Sequence, residues 1–314
     1  AELISCQANI ERVMDLLEQK PNVVDRTDVL RKYGDAFSPN KCNWEKIQGD
    51  IVFEDVSFMY PDGKEYVLEH FNLHVPAGMN VAIVGETGAG KSTLVNLVGR
   101  FFEPTKGRIL IDGVDYRERS QLWLHSQIGY VLQNPHLFSG TVRENIRYGR
   151  LDASDEEIEE AARNVSADMV VAKMEKGYDS DVGESGGLLS TGEKQLISFA
   201  RAVLANPAIF VLDEATSSID TQTEKLIQDA TNHLLKGHTS FVIAHRLSTI
   251  RQADLILVVK DGKIIERGSH PELLEQKGYY YELYSRQFEE EEAMKVFAGA
   301  TFAGETDWES VCQP

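Results

Sequence analysis

Residues 81–92 read Val81-Ala-Ile-Val84 followed by Gly85-Glu86-Thr87-Gly88-Ala89-Gly90-Lys91-Ser92. An apolar strand thus runs into a glycine-rich turn, and the chain continues as a helix. The spacing of Gly85 and Gly90 ahead of Lys91-Ser92 fits a loop that wraps a polyphosphate. Gly85, Gly88 and Gly90 allow the backbone to close without Cβ clashes, and the N–H groups of the loop and helix start favour negative charge. Lys91 supplies a flexible cation for the outer phosphates, and the Ser92 hydroxyl is a hard oxygen ligand for Mg²⁺. A turn that merely joins strand to helix has no need of Lys-Ser in this register. The pattern predicts a nucleoside triphosphate site.

Composition narrows the setting of that site. The chain has 314 residues, enough for one large domain with appendages, and 32 basic against 50 acidic residues give a net charge of −18. Such a balance argues against a general binder of nucleic acid, whose affinity rests on cationic contacts to phosphate. Cys6, Cys42 and Cys312 have spacings that suit neither a zinc site nor a disulfide framework, which points to a reducing compartment. No apolar run is long enough to span a bilayer, and no signal-peptide pattern opens the sequence.

Periodicity places the rest. Ile10, Val13, Leu16 and Leu17 share one face of an amphipathic helix over 1–20, which Pro21 ends, and the polar stretch 21–49 reads as a linker. From Asp50 the texture is β-type. Ile51–Phe58 alternates imperfectly and 71–75 cleanly, with a Pro-Asp-Gly turn at 61–63 between them. Strands are also predicted at 107–111 and 128–132. Ser154 and Glu157 form a capping box for a helix over 156–165, another helix should run from about 192 to 205, and Ser269 opens a short one. The apolar runs 209–212, 240–244 and 255–259, separated by helical patterns, read as buried parallel strands. Residues 288–314 form an acidic and then Gly/Ala-rich tail, expected to be poorly ordered.

Several residues at strand ends carry chemistry. Ile209–Leu212 leads into Asp213-Glu214: one carboxylate suits Mg²⁺, and the other suits an attacking water as general base. Gln133 ends a strand where an amide can reach metal and water. Leu189-Ser-Thr-Gly-Glu-Lys-Gln195 precedes a helix, so Ser190 and the adjacent N–H groups offer a second anion site. His245 follows another apolar strand. Each is commonplace alone; their joint order is not.

Taken together, the residues resemble the nucleotide-binding domain of an ATP-binding-cassette (ABC) transporter over residues 50–287. The resemblance implies an α/β fold: a P-loop NTPase (RecA-like) core with an antiparallel β-subdomain and an α-helical subdomain at about 136–200. It assigns Gly85, Glu86, Thr87, Gly88, Ala89, Gly90, Lys91, Ser92 and Thr93 to ATP binding as the Walker A loop. Tyr60 would stack on adenine, with Val67 beside it. Gln133 would be the Q-loop residue, Asp213 the Walker B aspartate and Glu214 the catalytic glutamate. Ser217–Asp220 would be the D-loop and His245 the switch histidine. Magnesium would be held through Ser92, Gln133 and Asp213. Ser190, Thr191, Gly192 and Glu193, in the signature, would contact the ATP of a second subunit.

Asp181–Gly186 resembles the loop that in exporters meets the coupling helices of the membrane domain. The opening helix resembles the cytoplasmic end of a last transmembrane helix. The implied protein is therefore an exporter half-transporter acting at the cytoplasmic face of a membrane, its membrane domain lying outside this sequence. The usual signature, Leu-Ser-Gly-Gly-Gln, is altered here at Thr191 and Glu193. Glu193 can set a negative charge near an anion, a cost of about 1 kcal/mol in water and about 4 kcal/mol at an effective dielectric near 20. Intact Lys91, Asp213, Glu214 and His245 beside that altered signature resemble one subunit of a heterodimeric exporter, the alternative being a homodimer that tolerates Thr191 and Glu193. Competing readings are a soluble ABC ATPase of DNA repair or translation, disfavoured by the charge and by the absence of a coiled-coil arm, and a binding-only subunit, disfavoured by Glu214 and His245.

Overall fold

Runs apolar on both sides of a strand must be buried on both sides, and the computed structural model shows how. It describes residues 21–214, 221–244 and 246–286, with residues 7, 10–14, 17, 18 and 288. Within β3 (Asn80–Val84), Val81 and Ile83 face one core while Ala82 and Val84 face another. The same split recurs in β7 (Ile209–Asp213), β8 (Thr239–Ile243) and β9 (Leu255–Lys260). With β6 (Ile128–Val131) and β10 (Lys263–Gly268) these strands form a six-stranded sheet in the order β10-β9-β3-β8-β7-β6. All neighbours are parallel except β10, which returns antiparallel beside β9. A period of two inside a continuous apolar run thereby supplies both faces of one layer.

The second sheet is antiparallel, with the order β2-β1-β4-β5, from β1 (Ile51–Phe58), β2 (Leu68–Val75), β4 (Lys106–Ile111) and β5 (Val114–Asp115). Its register explains the imperfect alternation of β1. Phe53 pairs with Leu73 but Val56 pairs with Phe71, so β1 holds one extra residue there, with Asp55 at φ 50°. That bulge switches parity, and Ile51, Phe53, Val56 and Phe58 all enter one core. The helix Lys91–Val98 is buried almost all round in that same core, shared by the two sheets. The other face of the parallel sheet is covered by helices Val142–Arg147, Asp155–Asn164, Thr191–Ala205 and Thr221–Leu235. No helix among the described residues is long and apolar enough to cross a membrane.

The stretch 21–49 differs from the expected linker. It carries the helix Thr27–Tyr33, whose Val29 and Tyr33, one turn apart, are buried. Asp25 accepts from the Arg100 guanidinium at 2.9 Å and from the Gln121 N–H at 3.0 Å. Arg119 donates to Glu45 at 3.2 Å, and the Trp123 indole N–H donates to the Glu45 carbonyl at 2.9 Å. A few well-spaced anchors thus dock a segment whose overall composition is polar. Of the expected opening helix, residues 10–14 are helical, and Ile10, Val13 and Leu17 are exposed. The acidic tail lies outside the described residues.

Arg100 is only 1% exposed, so its pairing with Asp25 is a buried ion pair. Substituting Arg100→Met leaves that carboxylate without its cation and is expected to cost about 3 kcal/mol. Urea unfolding reads this directly; a loss under about 0.5 kcal/mol, the size of an ordinary surface change, would show that the segment is not held here.

Candidate functional site

Parallel strands all end at the same edge of their sheet, and the polar residues picked out in the sequence collect there. The loop 85–90 follows β3, Asp213-Glu214 ends β7, and Gln133 stands two residues past β6, paired in register with β7 through Val131 and Leu212. This edge, outside the carboxyl ends of the strands, is where open α/β sheets bind ligands.

The loop is tightly built. A Cβ on Gly85 would sit 2.2 Å from the Val259 carbonyl oxygen, so only glycine lets the loop lie against β9. Lys91 is buried, and its ammonium donates to the carbonyls of Gly85 at 2.7 Å and Glu86 at 2.9 Å. Burial lowers the Lys91 pKa from its usual value, while the Asp213 carboxylate acts in the opposite sense. The structure therefore brings Lys91 and Asp213 into electrostatic reach of one another, although 122 positions separate them in sequence. Ser92 is exposed in the first helical turn, as are Glu86, Thr87 and Gly88, whereas Ala89 and Gly90 are buried. Thr93 is buried and shares a 2.9 Å hydrogen bond with the Tyr60 hydroxyl. The Tyr60 ring meets Phe58 and Phe102 edge-on, and Val67 borders Gly90.

Glu214 is buried and firmly held. One carboxylate oxygen accepts from the Thr249 hydroxyl at 2.5 Å and the other from the Arg246 N–H at 3.1 Å. Thr249 escaped the sequence reading; a hydroxyl in the first turns of the helix following β8 (Leu247–Gln252) is the signal that marks it. Asp213 and Glu214 also border a small cavity lined by Gln195 of the signature and by Arg246. Gln195 of the signature helix and the carboxylate end of β7 thus face the same small space.

At the start of that helix the side-chain direction of Glu193 is settled. Its carboxylate accepts from the Ser190 N–H and the Ser190 hydroxyl, both at 2.9 Å, while the Ser190 oxygen accepts the Glu193 N–H at 3.3 Å. This is a full capping box, so a negative charge sits at the helix N-terminus itself. Thr191 and Ser190 are exposed and Gly192 is buried. Ser190 and Glu193 border an open groove of about 650 Å³ with Met169, Lys173, Thr223 and Lys225. None of the phosphate-loop residues lines that groove. Within one chain the two anion sites stay apart.

His245 and Ser217–Asp220 lie outside the described residues. As to a metal, no cluster of three or more His, Cys, Asp or Glu side chains suited to one occurs among the described residues. The donor set of the Ser92 hydroxyl, Asp213 carboxylate and Gln133 amide nevertheless fits Mg²⁺, which takes few protein oxygens and keeps several waters.

Known proteins match this arrangement. The family described as ABC transporter matches residues 68–217. The chain is 49% identical over 288 residues to the ABC transporter ATP-binding protein YfiC of Bacillus subtilis, covering 91% of this chain and 45% of that protein. It is 45% identical to the ATP-dependent lipid A-core flippase of Syntrophus aciditrophicus, covering 90% of this chain and 45% of the flippase. A bacterial Atm1-family ABC exporter with ATP bound superposes with a TM-score of 0.76 at 38% identity, over 90% of this chain and 47% of the exporter. The chain thus spans less than half the length of these relatives. With its phosphate loop, paired carboxylates and signature helix in this order, the chain belongs to the ABC transporter family, as a nucleotide-binding domain of the exporter type.

Proposed function

We propose that this chain binds and hydrolyses ATP with Mg²⁺ and drives export through a membrane domain at the cytoplasmic face of a membrane. The observation that carries this reading is that Lys91, held by the loop carbonyls, lies within electrostatic reach of Asp213 at the strand edge where Glu214 also stands. A triphosphate entering the loop offers oxygens to Lys91 in place of the Gly85 and Glu86 carbonyls, and N–H groups of the loop take up the remaining charge. Tyr60 and Val67 border the loop where the adenosine end would lie. Ser92, Gln133 and Asp213 would hold the magnesium ion, which when bound neutralises phosphate charge. Glu214, fixed by Thr249 and Arg246, orients a water and takes its proton. Because phosphoryl transfer asks for positioning and charge stabilisation more than covalent work, a rigidly held carboxylate is the feature that matters. His245 would add a hydrogen bond to the terminal phosphate.

Export adds a second subunit and a membrane part. ATP favours the closed pair over the open one, and that difference in affinity is what shifts the membrane domains. Leu188, which is hydrogen-bonded to Val182, and Phe138 with Tyr148 packed on its ring are exposed beside the loop 181–186, an apolar surface suited to coupling helices. The capping box at Ser190–Glu193 supports a heterodimer. A signature that already carries its own carboxylate is a poor host for a partner's terminal phosphate. The working site would then combine this chain's loop and Glu214 with an unaltered signature from a different subunit.

Two experiments follow. Glu214→Gln keeps the shape but not the basicity of the side chain, so it should bind MgATP, trap the closed pair and lose turnover by about a hundredfold or more; turnover at the normal rate would remove Glu214 from the base role. Glu193→Gln retains a capping oxygen while discharging the helix end. It is expected to raise the ATPase rate of this chain on its own by about tenfold, from removal of roughly 1.4 kcal/mol of repulsion. A wild-type chain that works at full rate alone and is indifferent to Glu193→Gln would contradict the heterodimer.

A further inference from the structure

The turn after β9 lies against the phosphate loop for a topological reason: β9 runs parallel to β3, so their carboxyl ends emerge side by side. Lys260 pairs with Lys263 across the two-residue turn Asp261-Gly262, with φ 48° and 70°. Both positive values mark a type I′ hairpin, for which Asp-Gly is a favoured pair. The Gly262 N–H donates to the Ala89 carbonyl at 3.0 Å. A Cβ on Gly262 would fall 1.7 Å from the Val67 carbonyl oxygen, so backbone packs on backbone with no room for a side chain. Gly90 is in the same stack, its missing Cβ 3.6 Å from the Gly262 Cα.

This contact fixes the direction of a donor in the loop. In a trans peptide the C=O and the following N–H point opposite ways. Anchoring the Ala89 carbonyl on Gly262 therefore aims the Gly90 N–H away from the hairpin. On the hairpin itself, the Lys260 ammonium lies 4.7 Å from the Tyr279 ring centre, which ties the end of β9 to the C-terminal segment.

We infer that Gly262 is a positioning residue for nucleotide binding, holding the Ala89–Gly90 peptide so that its N–H faces the phosphates. The inference rests on the ATP-binding reading above. It gives the β9–β10 hairpin a function separate from closing the sheet edge: without its N–H the loop can fold but its donors are not aligned in advance.

The test uses the 314-residue chain with MgATP as the probe, in titration calorimetry. Gly262→Ala is expected to bind MgATP about tenfold more weakly or worse, the loss of one aligned donor to a charged group. Its ATPase rate at saturating ATP should hold while its KM rises, a split that general destabilisation does not produce. A folded Gly262→Ala chain with affinity within about twofold of wild type overturns the proposal. Should Gly262→Ala fail to fold, hydrogen exchange in the wild type decides. A Gly262 amide protected in the free chain and slower still with MgATP supports the role; exchange at the rate of an open loop in both states refutes it. A wild-type chain that takes up no MgATP would remove the ATP reading and this proposal with it, whereas normal wild-type binding with unchanged Gly262→Ala affinity removes this proposal alone.

Discussion

The structure depends on burying β3, β7, β8 and β9 on both faces. Strands in that position have no solvent-facing side along their length, so charged groups are tolerated only where the strands end. Because neighbours are parallel, those ends lie along one edge. The phosphate loop, Asp213, Glu214 and the β9–β10 hairpin arrive there by the same rule. Lys91 shows the cost of the arrangement: a buried ammonium with a lowered pKa, kept in place by loop carbonyls and an opposing carboxylate.

Two helix N-termini matter to function, and they are treated differently. The helix Lys91–Val98 begins at Gly90 with no side-chain cap, leaving its N–H groups for an external anion. The helix Thr191–Ala205 begins with Ser190 and Glu193 closed on each other. One end is built to receive charge and the other brings its own. That contrast within one chain is what the proposal of two unequal nucleotide sites rests on, and it follows from a glutamate at the third helical position.

Much of this was legible beforehand because the decisive signals are local. The loop at 85–92, the strand runs and the Ser154 and Ser269 caps depend on neighbours in sequence, and the structure has them where the pattern put them. What was misread depends on distant partners. The stretch 21–49 looks like a linker because Val29 and Tyr33 are few among polar residues; Arg100, Arg119 and Trp123, which dock it, come 50 or more positions later. The bulge at Asp55 hid the regularity of β1. Thr249 acquires meaning only once β8 and β7 are adjacent. The Asp261-Gly262 turn was passed over in the sequence, and its importance lies in the β3 loop it touches, which sequence spacing does not reveal.

The most direct test of the central claim is a crystal structure of the Glu214→Gln chain with MgATP and its companion subunit. The account requires the triphosphate to lie along residues 85–93, with Asp213 and Gln133 at the metal and the terminal phosphate meeting a signature serine from the other subunit. Nucleotide seated elsewhere, or gripped in full by one chain with no neighbouring helix end at its terminal phosphate, would contradict it.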